Sequence, residues 1–224
     1  MKKYYKAYDD RYKTVHSTGK DWAGDRPSYI LKDLFEKYGV SKNSKIIEVG
    51  CGEGQNALYL QKEGFSVSAT DVSAEAVRWC KEKAESENLD KNNFFVLDIL
   101  DNDLKEMYDC IYSISTLHML VLDSDRSGFF KFIFDHLKDN GVAIVTSMGD
   151  GKMEKNNSDI NKAFELTKRP FGDDFISVAT TSCRIVTWEH ILNEVKNANL
   201  KVIDKFVSTE ISGFTNSMVL ILKK

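Results

Sequence analysis

The sequence predicts an α/β fold: a doubly wound, mostly parallel seven-stranded sheet with helices on both faces and a C-terminal antiparallel hairpin. Three observations carry that expectation. Short β-branched runs alternate with stretches at helical apolar spacing. The stretch from Ile46 to Leu60 reads as a buried strand, then glycines at alternate positions (Gly50, Gly52, Gly54), then a helix marked by Ala57, Leu58 and Leu60. Finally, the last two strand-like runs, 201–209 and 217–222, are joined only by Gly213 and its neighbours, too short a connection for a parallel crossover.

Composition narrows the function classes. With 224 residues the chain can bury a full core and fits one elaborated α/β domain better than two domains. A net charge of −3 and a pI near 5.9 offer no global attraction to phosphate backbones, so nucleic acid is not an expected partner. Cys51, Cys80, Cys110 and Cys183 form no Cys-x-x-Cys pair and lack histidines at metal spacing, which points to reduced thiols, with no metal site and no disulfide framework. No run is long and apolar enough to span a membrane, and the amino terminus lacks an apolar targeting core. The expectation is a cytoplasmic protein without a membrane partner, a monomer or homodimer.

In chain order, residues 1–26 form an N-terminal arm or lid. Residues 1–25 carry six Lys or Arg against four Asp, together with Tyr4, Tyr5, Tyr8, Tyr12 and Trp22. Tyr5, Tyr8 and Tyr12 lie at helical spacing. The arm is either solvated or closes over a bound ligand, since exposing so many aromatic rings is costly. Residues 27–224 read as the single domain. Pro27 suits a first helical turn, and Ile30, Leu31, Leu34, Phe35 and Tyr38 form one stripe that Gly39 ends. A second strand runs into Asp71, Ser73 caps a helix to about Asn88, and a third strand ends at Asp98. A fourth strand ends near Thr116 and His118. A helix through Phe129 to Leu137 is closed by Asp139-Asn140-Gly141, and Val142 opens a fifth strand. An inserted segment at about 149–186 then holds a polar loop (149–158), a short helix (160–166) and a β-like run (175–186). Thr187 caps the last helix.

The chemistry gathers at the carboxyl ends of the strands. Glu48, Asp71 and Asp98 stand within or after successive strands, and in a doubly wound sheet those ends line one crevice. A carboxylate such as Asp71 accepts hydrogen bonds from both hydroxyls of a ribose, Asp98 suits an exocyclic amine, and Val72 and Ile99 offer apolar faces to a purine. Any one of these acids alone reads equally as a helix cap or a loop residue. The ordered set is the signal.

These residues resemble the class I S-adenosylmethionine-dependent methyltransferases. Glu48-Val-Gly-Cys-Gly-Glu-Gly54 is similar to the first motif of that family; Asp71, Leu97-Asp98-Ile99, the 109–120 strand and turn, and Leu137-Lys-Asp-Asn-Gly-Val follow at matching spacings. Where the family more often has two glycines at the end of that last turn, this chain has one. The resemblance implies that Gly50, Cys51, Gly52 and Gly54 wrap the methionine portion of S-adenosyl-L-methionine and that Glu48 reaches its amino group. It further implies that Asp71 holds the ribose, that Asp98 and Ile99 read the adenine, and that backbone near Ser115 and Leu117 approaches the methionine portion. S-adenosyl-L-homocysteine would be the product.

A sulfonium methyl is already activated, so only an acceptor of high pKa needs a base. His118 is the one histidine placed at the crevice and the candidate general base; a packed histidine is the alternative. Trp22, Tyr29, Tyr12 and Arg184 are candidates for an acceptor pocket, with Phe164, Arg169, Phe171 and Phe175 from the insert. Ser113-Ile-Ser-Thr-Leu-His occupies the place where an amine methyltransferase of nucleic acid would show an Asn-Pro-Pro-Tyr-like motif. A small-molecule acceptor is therefore expected, its acceptor atom (O, N, S or carboxylate) open. Two rivals stand beside this reading. Gly52-Glu-Gly54-Gln-Asn-Ala57 satisfies a looser dinucleotide fingerprint, which suits an NAD(P)-dependent oxidoreductase. A non-catalytic S-adenosylmethionine-binding module would also keep the turn and the acids.

Overall fold

The computed structural model describes residues 3–156 and 159–224. Met1 and Lys2, the first residues of the expected arm, and Asn157 and Ser158, the end of the expected polar loop, lie outside the described residues. A short 3-10 turn leads into helix α1 (Ala7–His16), followed by α2 (Ile30–Lys37), β1 (Ile46–Val49), α3 (Gln55–Lys62), β2 (Val67–Asp71) and α4 (Ala74–Ser86). Next come β3 (Phe94–Val96), β4 (Tyr108–Ser113), α5 (Asp123–His136) and β5 (Leu137–Met148). The insert holds β6 (Lys155–Asn156), β7 (Leu166–Phe171), β8 (Asp174–Ala179) and β9 (Arg184–Ile185), before α6 (Trp188–Asn197), β10 (Lys201–Ser208) and β11 (Ser217–Lys223).

Seven strands form the main sheet in the order β10-β11-β5-β4-β1-β2-β3. β11 alone runs against its neighbours, pairing antiparallel with both β5 and β10, so the closing hairpin sits at one edge. From β1 the chain winds outward through β2 and β3, then returns to β4 on the other side. The crevice of such a fold opens where that winding reverses, between the carboxyl ends of β1 and β4. All four residues of β1 are buried, as expected of a central parallel strand covered on both faces. Because side chains alternate along it, Ile47 packs with Phe129, Phe130 and Ile133 of α5, while Ile46 packs with Leu31, Phe35 and Leu60 on the opposite face.

Local chemistry sets the helix starts. Ser73 accepts a hydrogen bond from the Ala76 N–H at the head of α4, and Thr187 accepts from His190 at the head of α6. Two expectations need correction. The fifth strand begins at Leu137 rather than Val142: Leu137 already pairs with Tyr108, the register shifting between Tyr108 and Cys110, so the Asp139-Asn140-Gly141 turn lies inside the strand. In the insert, the expected helix over 160–166 is a single 3-10 turn at Ile160–Lys162, and the β-like run belongs to an antiparallel β7–β8 hairpin. Among the described residues, no helix is long and apolar enough to cross a membrane.

One buried ion pair ties α5 to α6. Arg126 is fully buried; its Nε and Nη2 donate to the two Glu194 carboxylate oxygens at 2.5 and 2.8 Å, and its Nη1 donates to the carbonyls of Leu117 and Leu120. The Glu194→Ala variant strands this guanidinium without its counter-charge, so it is expected to lose ~3–5 kcal/mol of stability. The denaturant midpoint by circular dichroism checks it.

Candidate functional site

The glycine turn is built from conformations that favour glycine. Gly50, Gly52 and Gly54 have φ of 72°, 53° and 83°. The N–H groups of Gly50 and Cys51 both donate to the Thr70 carbonyl at 2.8 Å, folding the turn back onto β2. Thr116, just after β4, donates its hydroxyl to the Gly50 carbonyl at 3.0 Å, and a Cβ at Gly50 would stand 2.3 Å from that oxygen. Only hydrogen fits. The loops after β1 and β4 meet there and form the floor of a cavity of about 610 Å³, a size ordinary for small-ligand sites.

Four carboxylates line the cavity. Glu48 is 1% exposed and accepts from Asn56 Nδ2 at 3.3 Å and Tyr112 Oη at 3.1 Å; burial pushes its pKa up to about 8. Asp71 accepts backbone N–H bonds from Gly52 and Ser73, both at 2.9 Å, one on each oxygen. Burial raises its pKa against those stabilising donors. Asp98 accepts from Tyr5 Oη at 3.1 Å and pairs with Lys3 and Lys6 of the arm at 3.1 and 3.3 Å. Glu53 is fully buried and accepts from the backbone N–H groups of Trp22 and Ala23 at 2.6 and 2.8 Å, with His16 Nε2 at 2.9 Å.

The arm therefore roofs the cavity. Helix α1 packs against β8 and α4, and Tyr8, Arg11 and Tyr12 line the space beneath it. The Tyr12 hydroxyl stands 2.9 Å from where a Cβ on Gly52 would be. Burial drives the pKa of both Tyr8 and Tyr12 upward, so both remain neutral phenols. His16 stacks on Trp79 at 4.0 Å and bridges Glu53 to Glu75, while Asp9 accepts from the Ser73 hydroxyl and the Glu75 N–H at the head of α4.

Of the residues singled out by sequence, Glu48, Gly50, Cys51, Gly52, Asp71, Val72, Asp98, Ile99, Ser115 and Trp22 line the cavity, as does Arg169. Gly54 does not: it starts α3 from the left-handed region, packed on Cys80. Leu117 is buried in the core beneath. His118 is also misplaced by the sequence reading. It is fully buried outside the cavity lining, edge-on to Phe214 at 5.0 Å, and accepts from the Met148 N–H at 3.4 Å. Burial, reinforced by the Arg126 charge, holds its pKa down to about 3, so it is a neutral packed ring rather than a general base. Tyr29 lies 55% exposed against Tyr59, and Arg184 bonds to Val121 and Asp123, both away from the cavity. Phe175 is 67% exposed and also outside it, whereas Phe171 stacks on Trp22 at 6.4 Å. Sequence reasoning missed Glu53, Arg11 and Thr116. Glu53 lies inside the glycine motif, and Arg11 follows Tyr8 by one helical turn.

The methyltransferase-domain family matches residues 46–141. The ubiquinone biosynthesis O-methyltransferase of Rickettsia prowazekii (strain Madrid E) is 27% identical over 127 residues, which is 57% of this chain and 49% of that protein. The chain spans about half the length of the relatives it matches. Among solved structures, an S-adenosylmethionine-dependent methyltransferase from Clostridium acetobutylicum superposes with a TM-score of 0.67 at 18% identity, covering 95% of both chains. The Burkholderia thailandensis 1,6-didemethyltoxoflavin-N1-methyltransferase, solved with 1,6-didemethyltoxoflavin and S-adenosylhomocysteine, has a TM-score of 0.69 at 12% identity, covering 97% of this chain and 86% of that one. Residues 46–141 are therefore similar to a methyltransferase domain, and the chain shares the fold of these S-adenosylmethionine-dependent methyltransferases.

Because Glu53 is the common acceptor for the arm, its loss has a local signature. In Glu53→Ala the roof loses charge-assisted bonds worth ~1.5–3 kcal/mol each. Limited trypsin cleavage after Lys20 is expected to accelerate about 10- to 100-fold, read by mass spectrometry of the fragments.

Proposed function

We propose that the protein transfers the methyl group of S-adenosyl-L-methionine to a small-molecule acceptor by in-line displacement. One observation carries the reading: a turn of three left-handed glycines, of which Gly50 and Gly52 line the cavity, meets Glu48, Asp71 and Asp98 there. The residues present fit the cofactor. Ser115, held at φ 59°, lines the cavity with a buried hydroxyl that has no hydrogen-bond partner among the described residues, a donor left for a ligand. Each Asp71 oxygen, having accepted one backbone N–H, keeps a lone pair for a ribose hydroxyl. Val72, Leu97 and Ile99 supply apolar surface beside Asp98 for the adenine, and Glu48 lies ready to oppose an ammonium.

When bound, the cofactor supplies a methyl group already activated for displacement. What remains for this chain is to align the acceptor and exclude water, and alignment supplies ~7–11 kcal/mol. The arm does the excluding, through Tyr5, Tyr8 and Tyr12 over the crevice. Among the described residues no histidine lines the cavity, its tyrosines are neutral, and of its four carboxylates Glu48 and Asp71 are taken by the cofactor and Glu53 and Asp98 by the arm. The acceptor atom is therefore one that is nucleophilic near neutral pH without a base: a thiolate, a carboxylate oxygen or an unprotonated amine.

Calorimetric titration with S-adenosylhomocysteine, with NADH in parallel, tests the reading. Micromolar binding of the first alone is expected, weakened at least ~100-fold in Asp71→Ala, since two hydrogen bonds to a charged group are lost. Binding of NADH alone would overturn the proposal.

Glu48 adds a pH dependence. With its pKa near 8 in the ligand-free protein, it is mostly protonated at pH 6–7 and must release that proton to meet an ammonium. Affinity for S-adenosylhomocysteine is therefore expected to rise with pH, by up to ~10-fold per unit between pH 6 and 7, and to level off near pH 8. Glu48→Gln should abolish the slope. Titration in buffers of different ionisation enthalpy counts the proton released.

A further inference from the structure

The roof of the cavity carries a charge that no carboxylate among the described residues balances. Arg11 is 4% exposed and lines the cavity; its Nε and Nη2 both donate to the Ala179 carbonyl, at 3.1 and 2.8 Å. Its guanidinium lies 4.7 Å from the Trp22 ring and 5.3 Å from the Tyr8 ring. One edge of the fork is thus spent on a single carbonyl, and among the described residues no carboxylate pairs with it. The other guanidinium acting on it, Arg169, also lines the cavity and repels it; burial lowers the Arg11 pKa and this repulsion works in the same direction. The cavity's carboxylates do not relieve the charge, because Glu48, Glu53, Asp71 and Asp98 are each held by the partners described above.

A buried cation without a counter-ion is unfavourable, and two ring contacts offset only part of that. The arrangement waits for a negative group. We propose that the acceptor, in the methyltransferase reading on which this rests, is a planar aromatic carboxylate whose carboxylate docks on the free Nη1/Nη2 end of Arg11. The planar end of the fork matches two coplanar oxygens, and one buried positive charge matches a monoanion better than a dianionic phosphate. Tyr8, Trp22 and Phe214 border the same cavity and give an aromatic ring its apolar surroundings.

The test uses 4-hydroxybenzoate and 4-hydroxybenzamide, whose phenols stay neutral near neutral pH so that the pair differs only in the carboxylate, titrated by calorimetry into the protein alone and into the protein saturated with S-adenosylhomocysteine. The wild type is expected to bind the carboxylate at least 10-fold more tightly than the amide. Arg11→Gln should bind the two alike while keeping its affinity for S-adenosylhomocysteine, and Arg11→Lys, with the charge but not the fork, should keep only part of the preference. Equal binding of the two probes by the wild type, no binding of the carboxylate, or a preference that survives in Arg11→Gln overturns the anion site. Should Arg11→Gln fail to fold, an undiminished preference in Arg11→Lys overturns the fork as its basis. If S-adenosylhomocysteine does not bind but the preference and its loss stand, the cofactor reading falls and the anion site remains.

Discussion

Glu53 is the contact on which the closed cavity depends. It sits between two glycines of the turn, fully buried, and gathers the backbone of Trp22 and Ala23 and the ring of His16 onto one carboxylate. A buried carboxylate persists only when its lone pairs are filled. The same bonds that satisfy it hold down the arm. Floor and roof of the cavity thereby meet at one carboxylate, and it helps hold Tyr12 of α1 over Gly52.

The cavity is divided electrically. Its strand-end side is acidic and engaged: Asp71 by backbone N–H groups, Glu48 by Asn56 and Tyr112, Asp98 by basic residues of the arm. The arm and the insert contribute the opposite sign through Arg11 and Arg169. That division suits a cationic ligand on one side and an anionic one on the other. In low-dielectric surroundings it also disfavours the reverse orientation.

The alternate glycines, the strand-end acids and the closing hairpin were legible because each depends on local rules: left-handed φ, period-2 burial and loop length. The insert was harder to read. Its β7–β8 hairpin is mostly exposed and is buried only where the end of β8 meets α1, so periodicity has little to report there. His118 failed for a different reason. Following β4 put it near the crevice in sequence, but whether a ring there points into the cavity or under it depends on Phe214 and Met148, which arrive from the far end of the chain and from β5.

By itself the sequence determined the parallel sheet, its winding reversal and the acids that ring it, because these are written in spacing that a few consecutive residues satisfy. Only the tertiary structure decided that the arm is a roof, that Glu53 anchors it, and that Arg11 stands buried with no carboxylate among the described residues paired to it. Each of those facts is a meeting of residues far apart in the chain, Arg11 with Ala179 and Trp22 with Glu53, and desolvation of a charge exists only once such segments have closed around it.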